Sequence, residues 1–270
     1  MPFMDEKKYF ETIAEYKLLA KHEVGQNFLV DPSAAKKIVD LAEITSEDRI
    51  LEIGSGAGSL SFFLEQSAGE SDLIDIDGRL VAKLHHDFEN NPRVHPLVAN
   101  VMRFDLSPYN KIIGNLPYYI TSAIIEKLLL EAQNVKIAVL MVQKEVVARL
   151  NSSRGSADYG PLPILIQYRA SFVKGFNVPR TSFSPAPHVD SSVFALRFKS
   201  DVNCEEAAAL YRLVSQLFLH RRKTIYNNLQ TIVNDSLKAK AVLENSGIDP
   251  KRRPEELSLE EYLGLLSQLH

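Results

Sequence analysis

The sequence has a single cysteine, Cys204, no long apolar run and no overall excess of positive charge. One thiol excludes an internal disulfide framework and a cysteine-rich metal site built by one chain, and it fits a reducing, cytosolic setting. No apolar stretch approaches the roughly 20 residues that span a bilayer, so no membrane is expected as a partner. The first ten residues, MPFMDEKKYF, mix acids with lysines and hold no apolar signal core; they are read as part of the mature protein. Neither an internal repeat nor a low-complexity segment interrupts the 270 residues, a length that suits one large domain, or a large one with a small one. The net charge of −3 argues, taken alone, against a nucleic-acid partner. Its distribution argues the other way. Residues 1–140 hold 14 Lys and Arg against 21 Asp and Glu, residues 141–200 hold 8 against 3, and residues 201–270 hold 9 against 10. Positive charge is concentrated rather than absent.

What is present is an alternation of short apolar runs with helical periodicity. Phe10, Ile13, Ala14 and Leu18 mark a helix over 5–20. Asp31-Pro32 opens a second helix running to Leu41, an acidic cap followed by proline at the first position. Strands are expected at 49–53, 72–77, 94–98, 111–114 and 136–143, with helices at 59–66, 79–88 and 122–130. That order implies a doubly wound parallel sheet, which binds ligands at the carboxyl ends of its strands. From about residue 205 helical periodicity takes over, with segments near 205–219, 222–233, 236–246 and 259–269. The chain is therefore divided into residues 1–200, a ligand-binding α/β domain, and residues 201–270, a small all-helical domain.

Three strand ends carry candidate chemistry. Glu52-Ile53-Gly54-Ser55-Gly56-Ala57-Gly58 follows a strand and opens a helix, and its glycines let backbone approach a ligand closely. Leu73-Ile74-Asp75-Ile76-Asp77 ends the next strand in acids about twenty residues later, where an acid commonly accepts from ribose hydroxyls; Asp77 also reads as a plain helix cap. Ala99-Asn100-Val101 ends the third strand, beside the base of such a cofactor. The glycine loop lacks the Lys-Ser/Thr of a phosphate site, which favours S-adenosylmethionine, although spacing alone does not exclude NAD. The fourth strand runs into Asn115-Leu116-Pro117-Tyr118. Asn and Pro are common turn residues, but on a cofactor-type sheet the set has a sharper use. An exocyclic amine of adenine is a poor nucleophile. A neutral amide oxygen and a backbone carbonyl can accept its two N–H bonds and expose its lone pair, and an aromatic face can stack the base. Positioning then does most of the work, and no strong base is needed.

The segments GQNFL (25–29), EIGSGAGSL (52–60), GNLPYYIT (114–121), VQKEVVARL (142–150), YGPLPI (159–164), FSPAPHVDSSV (183–193) and HRRKTIYNNL (220–229) together resemble the ribosomal RNA adenine dimethylases, in particular the group that dimethylates two adjacent adenosines near the 3′ end of small-subunit (16S) rRNA. The resemblance implies a Rossmann-like S-adenosylmethionine-dependent methyltransferase sheet, with the helical domain binding RNA. It implies that Asn27 and Leu29 border the cofactor, that Gly54 and Gly56 lie under its methionine part, and that Asp75 meets its ribose and Asn100 its adenine. Asn115 and the Leu116 carbonyl would hold the target amine, close to the cofactor. Pro117 would fix the turn, and Tyr118 and Phe183 would sandwich the target base. Gln143, Lys144 and Glu145 begin a motif that is structural or RNA-facing. No metal site is assigned. The family usually has Glu at the position of Asp75, Asp at that of Asn100, Pro at that of Ser55 and often Asn at that of Tyr119, and a basic-aromatic entry where His22-Glu23-Val24 stands.

The target base must leave its stack to enter such a site, which is cheapest for single-stranded or loop adenosines. Arg149, Arg154, Arg169, Lys174 and Arg180 make the middle segment basic. His220-Arg221-Arg222-Lys223 and Lys251-Arg252-Arg253 are two further clusters; Arg221, Arg222 and Lys223 are assigned to rRNA phosphates, and Lys251–Arg253 reads equally well as a solvated face. A cytoplasmic monomer acting on an immature small ribosomal subunit is expected. The alternatives are a large-subunit rRNA methylase, an assembly factor that binds without catalysing, and an amino-methylase of small molecules or DNA.

Overall fold

The computed structural model describes residues 5–15, 26–67 and 69–269. Leu18, Gly25 and the His22-Glu23-Val24 entry lie outside the described residues. The fold divides into two compact units, Met1–Val147 with Phe172–Phe198, and Ala148–Ser171 with Lys199–His270.

The first unit is built on a seven-stranded sheet of order β4-β3-β2-β5-β6-β9-β7. Its strands are β2 (Arg49–Ile53), β3 (Glu70–Asp75), β4 (Val94–Val98), β5 (Lys111–Asn115), β6 (Ile137–Gln143), β7 (Ala170–Val178) and β9 (Ser191–Phe198). The pairs β2/β3, β3/β4, β2/β5 and β5/β6 are parallel. The expected parallel sheet is therefore present through β6 and then changes direction, because β9 pairs antiparallel with β6 from Ile137↔Arg197 to Gln143↔Ser191. β2 and β6 are buried at almost every position, as strands covered on both faces must be. Strand order reverses between β2 and β5, so the connections leaving their carboxyl ends turn to opposite faces of the sheet and leave a crevice.

Helices pack where the caps put them. α1 (Glu6–Glu15) buries Tyr9, Phe10 and Ile13, with the Tyr9 ring stacked on Phe62 at 4.8 Å. Asp31 caps α2 (Pro32–Asp40), accepting from the Ala34 N–H at 3.1 Å with proline at the first turn. α3 (Ser61–Glu65) follows the glycine loop, and α4 (Gly78–Asp87) and α5 (Thr121–Glu131) follow β3 and β5. A separate two-stranded pairing joins β1 (Phe28–Leu29) to β8 (Phe183–Ser184).

The second unit is helical: α7 (Pro161–Arg169), α8 (Cys204–Phe218), α9 (Ile225–Val233), α10 (Ser236–Asn245) and α11 (Leu259–Leu269); α6 (Lys144–Leu150) runs from the first unit into it. Asn203, Thr224 and Asp235 cap α8, α9 and α10 through their side-chain oxygens, each satisfying an N–H that the helix leaves unpaired. The division expected at residue 200 falls after Phe198, but residues 148–171 also belong with the helices. The reason is local bonding. The Gly155 N–H donates to the Glu255 carbonyl at 2.9 Å, α7 packs on α8, and Arg169, only 2% exposed, donates to the Val202 carbonyl. Among the described residues, no helix is long and apolar enough to cross a membrane.

Candidate active site

A cleft of about 250 Å³ opens at the carboxyl ends of β2, β3 and β5 in the first unit. Asn27, Leu29, Gly54, Gly56, Asp75, Asn100, Asn115, Leu116, Pro117 and Tyr118 all line it. Segments distant in sequence are brought together here by strand order alone.

The glycine loop forms the floor. Gly54 and Gly56 have φ of +72° and +54°, values that side chains disfavour. A Cβ on Gly54 would stand 3.3 Å from the Asn115 carbonyl oxygen, so the glycine also allows the two strand ends to approach. Asp75 holds the loop in place. One carboxylate oxygen accepts from the Gly56 N–H and the other from the Asp77 N–H, both at 2.9 Å. Burial pushes the Asp75 carboxyl up, and these backbone donors draw it back. Each oxygen keeps a second acceptor direction for a ribose hydroxyl. Asp77 does what its alternative reading supposed. It caps α4 through the Arg79 N–H at 3.1 Å and pairs with the Arg79 guanidinium at 2.6 Å. Asn100 likewise caps a short 3₁₀ turn, its Oδ1 accepting from the Met102 N–H at 3.0 Å.

Three features test the fit to an adenosine-bearing cofactor. Ile76 is 56% exposed and Met102 39%, yet both line the cleft; solvent-facing apolar groups at a cleft suit the faces of a planar base. The Ser55 hydroxyl lines the same floor and has no hydrogen-bond partner while buried, an orphan that a polar ligand can satisfy. No Lys, Arg or His is among the described lining residues, which suits a cation better than a pyrophosphate. The residues present fit S-adenosylmethionine.

The second half of the site hangs on β5. The Asn115 Nδ2 donates to the Asn27 carbonyl at 3.4 Å, which leaves Oδ1 as its acceptor. The Leu116 N–H donates to the Met141 carbonyl at 3.0 Å, fixing the peptide whose next carbonyl would face an amine. Pro117 has φ −64° and ψ 130° and starts a 3₁₀ turn over Tyr118–Ile120; its carbonyl accepts from the Thr121 hydroxyl at 3.0 Å. The Tyr118 hydroxyl lies 3.1 Å from the buried Ser191 hydroxyl, and burial raises its ionisation above the usual tyrosine range. The ring is thus tethered at its far end, a neutral stacking surface.

Phe183 departs from expectation. It is 4% exposed, belongs to the hydrophobic core and does not line the cleft; pairing of Leu29 with Phe183 in β1/β8 commits it to packing. The exposed ring at the cleft is instead Tyr119, 60% accessible. Glu52 heads the glycine segment in the sequence but has no role assigned to it there. It is 1% exposed, lines the cleft and accepts from the Ser61 hydroxyl at 2.6 Å. The available signal was an acid inside the apolar strand run Arg49–Ile53, where an unpaired charge is costly.

The basic clusters also separate. Arg221 donates to the Ala157 and Ser156 carbonyls and pairs with Glu255 at 3.6 Å, so its fork is already used within the helical unit. Arg252 is held by Glu261, and Arg154 approaches the same acid at 3.9 Å. Arg169 is buried. Arg222, Lys223, Arg149, Lys174 and Arg180 are exposed.

A family model described as ribosomal RNA adenine dimethylase matches residues 18–269. A protein named ribosomal RNA small subunit methyltransferase A from Geobacillus sp. (strain WCH70) is 37% identical, over 96% of this chain and 94% of that protein. One of the same name from Leuconostoc mesenteroides is 38% identical, over 93% and 90%. The crystal structure of a dimethyladenosine transferase from Plasmodium falciparum matches with a TM-score of 0.76 and 27% identity, over 88% of this chain and 96% of that one. The 23S rRNA methyltransferase ErmE shares the fold, with a TM-score of 0.67 at 24% identity, over 90% and 99%. A glycine-floored cleft, an Asn-Leu-Pro-Tyr strand end and a family match over nearly the whole length converge: the chain belongs to the ribosomal RNA adenine dimethylase family.

Proposed function

We propose that this protein is a 16S rRNA adenine N6,N6-dimethyltransferase, using S-adenosylmethionine on two adjacent adenosines near the 3′ end of small-subunit rRNA. The observation that carries this reading is one cleft lined by both the Gly54–Gly56 floor and the Asn115–Tyr118 strand end. Asp75, Asn100, Asn27 and Leu29 would hold the cofactor beside that floor, with Ile76 and Met102 against its base. When bound, S-adenosylmethionine supplies a methyl group on a sulfonium, a strong leaving group.

The chain's own residues supply position. Asn115 Oδ1 and the Leu116 carbonyl accept the two N–H bonds of the adenine amine and turn its lone pair out of the ring plane. Asn115 is neutral and cannot act as a base; it orients. On the first transfer the nitrogen would gain the methyl group and lose one N–H proton to solvent; one N–H remains, so a single acceptor would hold it for the second. Tyr118 stacks the base. The protein works as a cytoplasmic monomer on an immature small subunit, the α/β unit binding cofactor and carrying catalysis and the helical unit contacting RNA.

The test is methyl transfer from labelled S-adenosylmethionine to undermethylated small and large subunits assayed separately, with the product mapped. N6,N6-dimethyladenosine at adjacent positions in small-subunit rRNA is expected. Transfer confined to the large subunit would overturn the assignment.

RNA contact is expected to divide along the cluster His220–Lys223. Replacing Arg222 and Lys223 by Ala should weaken rRNA binding and reduce the slope of log K against log salt by up to about 2. Arg221→Ala should instead lower the melting temperature, because it strands the Ser156 and Ala157 carbonyls. Filter binding across a salt series, beside thermal melts, separates the two effects.

A further inference from the structure

We propose that Glu52 matches the positive charge of the cofactor: it stands as a neutral carboxylic acid in the free cleft and becomes a carboxylate when the cofactor binds, releasing its proton to solvent. The inference rests on the S-adenosylmethionine reading of the cleft.

The geometry comes first. Glu52 lies on β2, two residues before Gly54, with Leu73 and Ile113 opposite it on the flanking strands. Its carboxyl is almost wholly buried yet lines the cleft. One oxygen accepts from the Ser61 hydroxyl on α3. The ionisable groups facing it are Asp75 at the end of β3, whose charge disfavours a second negative one, and Tyr9 on α1, whose hydroxyl burial keeps neutral. Lys83, near the Tyr9 ring, is held by Asp87 and the Ala57 carbonyl. Nothing among the described lining residues offers Glu52 a cation.

Asp75 and Glu52 therefore share one cleft in unequal surroundings. Asp75 accepts from backbone N–H groups, those of Gly56 and Asp77 among them, whereas among the described residues Glu52 has the Ser61 hydroxyl. Burial pushes the Glu52 carboxyl up to about 8, against the weaker pull of Ser61. Such a pair divides into one ionised and one protonated acid. A cationic ligand entering the cleft supplies the missing counter-charge and lowers the cost of ionising Glu52. The balance is simple: carboxylic acid plus cation gives an ion pair plus one proton in the buffer. Departure of the ligand reverses it. A purely structural Glu52 would stay protonated throughout, bonded to Ser61, and an amide would replace it without consequence.

Titration calorimetry of the full chain with S-adenosylmethionine at pH 7, in buffers of different ionisation enthalpy, counts the protons. The wild type should release about one proton, and its affinity should rise by up to about tenfold from pH 6 to pH 7, a window in which an α-amino group of pKa about 7.7–8.0 stays protonated. Glu52→Gln keeps the shape and a partner for Ser61. It should fold, release no proton, bind more weakly and lose the pH dependence. Ser61→Ala removes the donor that favours the carboxylate; it should keep the release and move the rise in affinity to higher pH. Cofactor binding by the wild type without proton release, or equal release by Glu52→Gln, overturns the inference and leaves the cofactor assignment intact. Absence of any binding overturns both.

Discussion

Asn115→Ala is expected to reduce methyl transfer to rRNA by at least about 10²-fold, the scale on which removal of one preorganised polar contact acts at a reacting centre, while the protein stays folded. The side chain sits half-buried at the end of β5, and among the described residues it donates to the Asn27 carbonyl at 3.4 Å. Loss of that bond costs about 1 kcal/mol, a shift of only a few degrees in melting temperature for a chain of this size. Loss of Oδ1 removes an acceptor whose place the Ala methyl cannot take. Asn115→Asp separates the two roles. It restores an acceptor oxygen but sets a carboxylate against the Asn27 carbonyl, where Nδ2 donated. It should recover part of the activity and bind cofactor more weakly. Single-turnover transfer, with calorimetry for the cofactor, distinguishes lost chemistry from lost binding. Transfer that survives Asn115→Ala would remove Asn115 from the centre.

Gly114→Ala is expected to be the more disruptive substitution, although it adds one methyl group. Gly114 lies opposite Ile53 in the β2/β5 pairing. A Cβ there would stand 2.7 Å from the Ile53 carbonyl oxygen and 3.1 Å from Leu116 Cδ2. The nearest obstacle is backbone in the centre of a sheet and cannot swing aside. Overpacking of this kind costs about 1–3 kcal/mol. The activity cost should be larger still, because any parting of β2 from β5 moves the Gly54 floor away from Asn115, and a misplacement of about 1 Å can cost 10²-fold. Gly264→Ala is the control. It sits within α11 with nothing within 4 Å of the added methyl, and should raise stability by up to about 1 kcal/mol through helix propensity. Thermal melts beside transfer rates check both.

The sheet core was legible because strands covered on both faces read as unbroken apolar runs. β2 and β4 were placed to the residue, and β5 and β6 to within one residue. A helix start was legible where a side chain caps, as at Asp31, whereas the Asn203 cap of α8 emerged only in the fold. Residues 144–200 carried recognisable motifs but no assigned elements, and no local period announces that β9 returns antiparallel between β6 and β7. The site followed the same division. Residues at strand ends, from Gly54 to Tyr118, reach the cleft because topology puts every such end there. Phe183 was placed by resemblance alone, and its pairing in β8 turns it into the core. Arg221 and Arg169 show the limit of reading charge from sequence: a guanidinium in a basic run can be consumed by carbonyls that only the fold brings near.

The pairing of β1 with β8 has a bearing on how the protein is made. Val30 donates to the Ser182 carbonyl at 2.8 Å and the Ser182 hydroxyl to Asp31 at 3.0 Å, so the segment bearing Asn27 is fastened by residues about 150 positions later. Strands β2 to β5 need nothing beyond Asn115 to pair with one another. During synthesis, the strand beside Asn27 leaves the ribosome well before Phe183 and Ser184, and it gains its partner only after they have emerged. A nascent chain halted short of that point carries the glycine floor and the Asn-Leu-Pro-Tyr turn but lacks the strand that seats their neighbour, so a grip on cofactor is expected only after Ser184 has emerged.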